Sequence, residues 1–316
     1  MRRRTILAGS LVGAAALSVG VVASEELSRR HSEPLASRCQ FGAYAADEPW
    51  PNVNAHYALE QEVGRLPIMS WFQDWGNGWL GDAASSAAKT GHDLQIAWDP
   101  SVANTPIDFS SILAGRYDTY LTEFFIQARA YPRKVTLRPF WEMNGNWASY
   151  SVAHASGGRA VTSVQQWKAV WRHVVELQHG VGGDNVHFMF CANGDDVGGI
   201  PLEAYWPGSE YVDVLGLDTY NGGHPWRTAD QLIKPMYTRL ARLDGKAPIA
   251  IAEIGCAGGG LTVDRKADWL QRLFASDAFP RLESICFFNA DRQQDWRIDS
   301  SRATVDVCRV YLKGKR

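Results

Sequence analysis

Residues 133–140 read RKVTLRPF, residues 163–180 read SVQQWKAVWRHVVELQHG, and residues 186–192 read VHFMFCA. The outer two are short apolar runs rich in β-branched and aromatic residues. In the middle one Trp167, Val170, Trp171, Val174 and Leu177 fall on one helical face, so those two tryptophans belong to a core. Strand, amphipathic helix, strand is one βαβ unit, and its strands run parallel because a helix carries the chain back across the sheet. Further strand-like runs lie at 39–45, 66–72 and 93–98 before this unit, and at 212–217, 248–254 and 284–289 after it. Helical patterns alternate with them at 54–65, 79–90, 110–130, 228–243, 264–276 and 301–312. Only the connection between the fifth and sixth runs, around Leu202 to Trp206, is too short for a long helix. Eight units in the span a barrel uses predict a single closed (β/α)8 TIM barrel. No GxGxxG or GxxxxGK[ST] follows the first strand, which argues against a nucleotide-binding doubly wound sheet.

Composition narrows the partners. The chain has 316 residues, 46% hydrophobic and 21% charged, which excludes wholesale disorder, collagen and a polytopic membrane protein. Lys and Arg number 32 against 34 Asp and Glu, a net charge of −2, so nothing in the charge calls for nucleic acid. Thirteen Trp against five Met is unusual, and rigid indole faces at a surface stack on flat apolar ligands, sugar rings among them.

The N-terminus carries Arg2-Arg3-Arg4, an uncharged apolar run from Ile6 to Ala23, then Glu25 and Glu26. We read residues 1–23 as an export signal of twin-arginine type, 24–35 as a charged linker, and 36–316 as the barrel domain. A retained membrane anchor through residues 6–23 is the alternative; either way the folded part is expected outside the cytoplasm, secreted or anchored. Cys39, Cys191, Cys256, Cys286 and Cys308 show no CxxC and no zinc spacing. An oxidising compartment permits a disulfide, and Cys39 is expected to pair with Cys308 or Cys286. The eight His form no i,i+4 pair, and no metal or cofactor is expected.

A TIM barrel places its site at the C-terminal ends of the strands. Those ends read Tyr44; Gln73-Asp74-Trp75; Trp98-Asp99; Arg138-Pro-Phe-Trp141-Glu142-Met-Asn144-Gly-Asn-Trp147; Asn193-Gly-Asp195-Asp196; Asp218-Thr-Tyr220; Glu253-Ile-Gly255; and Asn289-Ala-Asp291. Carboxylates at the mouths of strands four and seven, among tryptophans and tyrosines, are the equipment of a glycosidase: one acid/base and one nucleophile or second base. Arg138 shares strand parity with Glu142 and could keep Glu253 ionised. Trp75, Trp98, Trp141, Trp147 and Trp226, with Asn193, lie at strand ends or on top loops, where substrate contacts are expected.

The run from Arg138 to Trp147, with Val212–Tyr220 and Ile251–Gly255, resembles glycoside hydrolase family 26, best known for endo-β-1,4-mannanases. The resemblance implies a retaining (β/α)8 enzyme with Glu142 as acid/base, Glu253 as nucleophile, and Tyr220 as the tyrosine whose hydroxyl holds the nucleophile. In a retaining pair the carboxyls stand about 5–5.5 Å apart, too close for an intervening water. Mannanases of the family carry His immediately before the acid/base, where this chain has Trp141. Clan members often present a Trp on strand eight, where this chain has Phe287-Phe288-Asn289; Trp296 or Trp75 is expected to supply that face. The expected function is therefore a secreted endo-β-glycanase on mannan or glucomannan, acting as a monomer. Mixed-linkage β-glucan and β-1,3-xylan are alternative substrates within the family, and a barrel that binds glycan without cutting it is the alternative of another class.

Overall fold

Eight parallel strands close on themselves in chain order: β1 (Gln40–Ala45), β2 (Ile68–Asp74), β3 (Asp93–Asp99), β4 (Val135–Pro139), β5 (Val186–Asn193), β6 (Val214–Asn221), β7 (Ile249–Cys256) and β8 (Leu282–Asn289), which pairs back onto β1. This is the computed structural model of the chain, and it describes residues 33–50, 52–154, 160–258 and 264–314. The expected export segment and most of the linker lie outside the described residues. Among the described residues no helix is long and apolar enough to cross a membrane.

Around the barrel run α1 (Leu35–Arg38), α2 (Asn54–Val63), α3 (Gly81–Lys89), α4 (Phe109–Leu113), α5 (Asp118–Arg129), α6 (Val164–Val181), α7 (Ala229–Leu243), α8 (Arg265–Ala275) and α9 (Arg302–Leu312). The helical pattern at 110–130 is broken in two, with Gly115 at φ +75° between α4 and α5. Between β5 and β6 the short connection forms only two 3-10 turns, Leu202–Tyr205 and Ser209–Tyr211. Ser163 caps α6 by accepting from the Gln166 N–H, and the apolar face of α6 buries Trp167 and Trp171 completely. Leu35, the last residue of the expected linker, is fully buried and its N–H donates to the Ser276 carbonyl at 2.7 Å.

Strand parity decides which side chains fill the barrel. Gln95 Nε2 donates to Ser70 Oγ and to the Ala252 carbonyl, each at 3.0 Å, so Gln95 on β3 and Ser70 on β2 face inward. By the same alternation Phe72 faces inward, while Ile96 and Trp98 face the helices. At the mouth of the barrel β7 departs from the rule. Leu217 pairs with Ile251 but Asp218 pairs with Glu253, and Ile285 pairs with Ile251 while Phe287 pairs with Ile254. Measured against both neighbours, β7 carries one extra residue, a bulge at Ala252-Glu253. A bulge re-aims the side chains beyond it, and here both Ala252 and Glu253 are directed into the barrel.

The expected disulfide is not formed. All five cysteines are buried and none is in a disulfide. They belong to separate packing environments: Cys39 Sγ donates to the Leu282 carbonyl at 3.1 Å, Cys286 faces Gln95 Oε1 inside the barrel at 3.7 Å, and Cys308 is on the buried face of α9.

Candidate active site

The β4 strand stops at Pro139, and the chain then makes an irregular turn in which Phe140 and Glu142 both adopt left-handed backbone, φ +53° and +54°. Such conformations cost of order 1–2 kcal/mol for side chains of this kind and persist only where the surroundings over-determine them. Here they do. The Glu142 N–H donates to the Cys191 carbonyl and the Gly145 N–H to the Glu142 carbonyl, both at 2.8 Å. Asn144 ties the turn to the end of β5: its Oδ1 accepts from the Asn193 N–H at 2.8 Å, while its Nδ2 donates to the Asn193 carbonyl at 3.0 Å and to Asp196 Oδ1 at 2.9 Å. Gly145 leaves room for the chain to fold back; a Cβ there would lie 2.5 Å from the Trp147 ring. The indole can therefore reach Glu142, and Trp147 Nε1 donates to Glu142 Oε2 at 2.9 Å.

Across the barrel mouth, one nitrogen organises the opposing carboxylates. Arg138 is fully buried, and its Nη2 lies 2.6 Å from Glu253 Oε1 and 2.6 Å from Asp218 Oδ2. A buried guanidinium needs acidic partners to offset its desolvation, and here two acids share one nitrogen of it. Burial pushes the Asp218 carboxyl well above its ordinary range against the pull of Arg138. Cys191 Sγ donates to Asp218 Oδ1 at 3.3 Å. The other oxygen of Glu253, Oε2, accepts from the Tyr220 hydroxyl at 2.5 Å. Burial and the charge of Glu253 hold Tyr220 far above the usual phenol range, so it remains a donor. Glu142 is raised to about 7, first by burial and then by the negative Glu253, with Arg138 and the Trp147 N–H pulling the other way. One carboxyl is thus kept protonated near neutrality, facing a carboxylate held by an arginine and a tyrosine.

Glu142, Trp147, Tyr220 and Glu253 line a cleft of about 580 Å³ together with Tyr44, Phe72, Asn193, Phe288, Gln293 and Trp296. Of the expected substrate contacts, Trp147, Tyr220, Asn193 and Trp296 line it, and Arg138 stands beneath it. The other tryptophans do not line it, and burial corrects the expectation for Trp98 and Trp75. Trp98 is fully buried and stacks on Phe124 at 4.3 Å, since β3 parity turns it toward the helices. Trp75 is buried 5.1 Å from the Trp98 ring. Trp141 is partly buried between Phe72 and Tyr150, each 5.7 Å away, and lies over the small barrel cluster of Met189, Cys191 and Ala252. One face of Trp226 is covered by the Arg265 guanidinium at 4.0 Å. Sequence reading missed Phe72, Gln293 and Phe288 as lining residues and Asp218 as the second partner of Arg138. Parity within β2, β6 and β8 carried the signal for three of them.

Among the described residues one group of potential metal ligands assembles. His56, Glu60 and His92 bring their ligand atoms within 4.8 Å of one another, on α2 and just before β3. The spacing of His92 from the other two hid this in the sequence. The Arg65 guanidinium already occupies the group, bonded to Glu60 Oε1 at 2.9 Å and to His92 Nε2, and His56 Nε2 contacts the Leu66 carbonyl at 2.9 Å. A cation would have to displace that guanidinium.

Comparison with known proteins adds relatives to this geometry. Residues 127–272, which include both Glu142 and Glu253, match the model of glycosyl hydrolase family 26. Over 277 residues the chain is 30% identical to endoglucanase H of Acetivibrio thermocellus, covering 84% of this chain and 29% of that protein. It is 30% identical over 129 residues to a mannan endo-1,4-beta-mannosidase of Bacillus subtilis, covering 39% of this chain and 31% of the relative. The chain thus spans under a third of the length of either protein. Among solved structures, a GH26 β-mannanase from Bacteroides ovatus superposes with a TM-score of 0.59 at 16% identity, covering 92% of this chain and 91% of that one. The Bacillus subtilis mannanase man26 gives 0.60 at 17% identity, over 89% and 87% of the two chains. These two likenesses bear on the fold.

Proposed function

Because the chain belongs to glycosyl hydrolase family 26, we propose that it is a retaining endo-β-glycanase exported from the cytoplasm, cleaving a β-linked polysaccharide of mannan or glucomannan type. The observation that carries this is the pairing across one cleft of a carboxyl raised to about 7, Glu142, with a carboxylate bonded to Arg138 and Tyr220, Glu253. Glu253 attacks the anomeric carbon and the bond to the leaving sugar breaks. The proton of Glu142 passes to the leaving glycosidic oxygen as it departs. Glu142, now ionised, takes a proton from water, which displaces Glu253 from the anomeric carbon and returns both residues to their starting states. Arg138 and Tyr220 each hold one oxygen of Glu253, and a carboxylate has lone pairs enough for those bonds and the attack. Trp147 and Trp296 offer indole surface on which pyranose rings stack.

A β-glucan backbone is the second reading. It is favoured by the endoglucanase name of the relative that aligns over most of this chain, and by Trp141 in place of the histidine expected of mannanases. Sugar release by the full chain from glucomannan, mixed-linkage glucan, xylans and cellulose, beside a Glu253→Ala control, tests both. Release that vanishes in the control, with the β-anomer formed first by proton NMR, is expected. Release that persists in Glu253→Ala, or an α-anomer formed first, contradicts the mechanism.

A further inference from the structure

Lys266, on the first turn of α8, is a buried ammonium that the chemistry above does not use; its side chain is 2% exposed. It has three donors and uses three acceptors: the Asp295 carbonyl at 2.7 Å, the Arg297 carbonyl at 3.0 Å and Ser300 Oγ at 2.9 Å. None of these is a carboxylate. The Asp295 and Asp264 carboxylates favour the charge, but burial outweighs them and pulls the ammonium below its ordinary value, so a lysine whose direct bonds are all to neutral oxygens is expensive where stability is the only gain. What the three bonds do is hold the backbone on both sides of Trp296.

Trp296 is the residue between the two carbonyls, and it lines the cleft. Its ring lies 5.1 Å from that of Tyr220, whose hydroxyl is bonded to Glu253. The contact is close by construction. A Cβ on Gly255, two residues after Glu253, would sit 2.9 Å from Tyr220 Cδ1 and 3.0 Å from Trp296 Cε3. Asp264 reinforces the clamp, capping α8 by accepting from the Ala267 N–H at 3.1 Å and bonding Ser301, itself the cap of α9.

We propose that Lys266 is a positioning residue of the active site: through its three bonds to residues 295–300 it sets the Trp296 indole against Tyr220, and so fixes the face on which the sugar bonded to Glu253 rests. This rests on the hydrolase reading above.

The test is a double-mutant cycle in the full chain, read two ways. In the first, the indole N–H resonance of Trp296, assigned with Trp296→Phe, is followed in nitrogen-15-labelled protein. Lys266→Met moves or broadens that resonance, whatever the enzyme's activity. In the second, Lys266→Met lowers kcat/KM by roughly tenfold or more in the wild-type background, with kcat carrying most of the loss, and by less than twofold in the Trp296→Ala background. Ser300→Ala, which keeps the lysine and removes one acceptor, shows the same pattern more weakly and serves if Lys266→Met does not fold. An unmoved indole resonance, or equal losses of kcat/KM in both backgrounds, overturns the assignment. If the wild type hydrolyses no polymer, the hydrolase reading falls instead, and the indole resonance alone decides the positioning of Trp296.

Discussion

The indole N–H of Trp147 donates to Oε2 of Glu142 over 2.9 Å, and the same indole is 48% exposed at the cleft. One side chain thus exposes an aromatic face at the cleft and donates a hydrogen bond to Glu142, the acid/base of the proposed mechanism. The bond favours the ionised carboxylate and restrains a pKa that burial and Glu253 drive up to about 7.

Trp147→Phe keeps an aromatic face and removes the donor. A hydrogen bond to a charged group contributes about 1.5 kcal/mol, which is about 1 pH unit. The alkaline limb of kcat/KM, expected near 7 in the wild type as a property of the coupled glutamates, should move upward by that amount. A pH–rate profile on a soluble polymer checks it, and a limb that stays or moves down contradicts the role given to Glu142.

Glu142 also links stability to pH. Between its ordinary value of 4.5 and about 7 the folded protein holds a proton that the unfolded chain has released. The folded state binds more protons across that window, so stability falls as pH rises through it. Gln does not titrate. The melting temperature of Glu142→Gln relative to wild type should therefore rise from pH 5 to pH 8. A constant difference would mean Glu142 ionises in the fold as it does in the unfolded chain.

Arg138→Met leaves Asp218 and Glu253 inside the barrel with no cation between them. Breaking a buried ion group by removing one partner costs about 3–5 kcal/mol. Urea unfolding at pH 7 should show a loss of that size, and a loss below about 1 kcal/mol would mean the arginine does not hold the acids together.

Gly255→Ala adds a methyl group where Tyr220 and Trp296 converge, at 2.9 and 3.0 Å. Overpacking of this kind costs about 1–3 kcal/mol, so the protein should still fold. The displaced Tyr220 should lower kcat by roughly tenfold or more. Steady-state kinetics beside a thermal melt separates the two effects, and unchanged kcat would show that Tyr220 need not be held in this place.

Much of this was written locally. The alternation of β-rich runs with helical periodicity is a property of neighbouring residues, so the eight strands, the barrel and the two buried tryptophans of α6 could be read from the chain. The glutamates at the ends of strands four and seven were legible for the same reason, because strand ends are where a barrel opens. Closure of the barrel decided the rest. Which way a strand-end side chain points depends on its neighbours' register: β3 parity sends Trp98 into the helices, and only the bulge in β7, visible against β6 and β8, turns Glu253 inward. The cysteines stay as thiols because the fold places them in separate packing environments. The shared guanidinium of Arg138, the fold-back of Trp147 onto Glu142 and the clamp of Lys266 around Trp296 join residues far apart in the chain or on irregular turns. Periodicity reports what lies on one face of one element; a site built across the mouth of a barrel exists only once the faces meet.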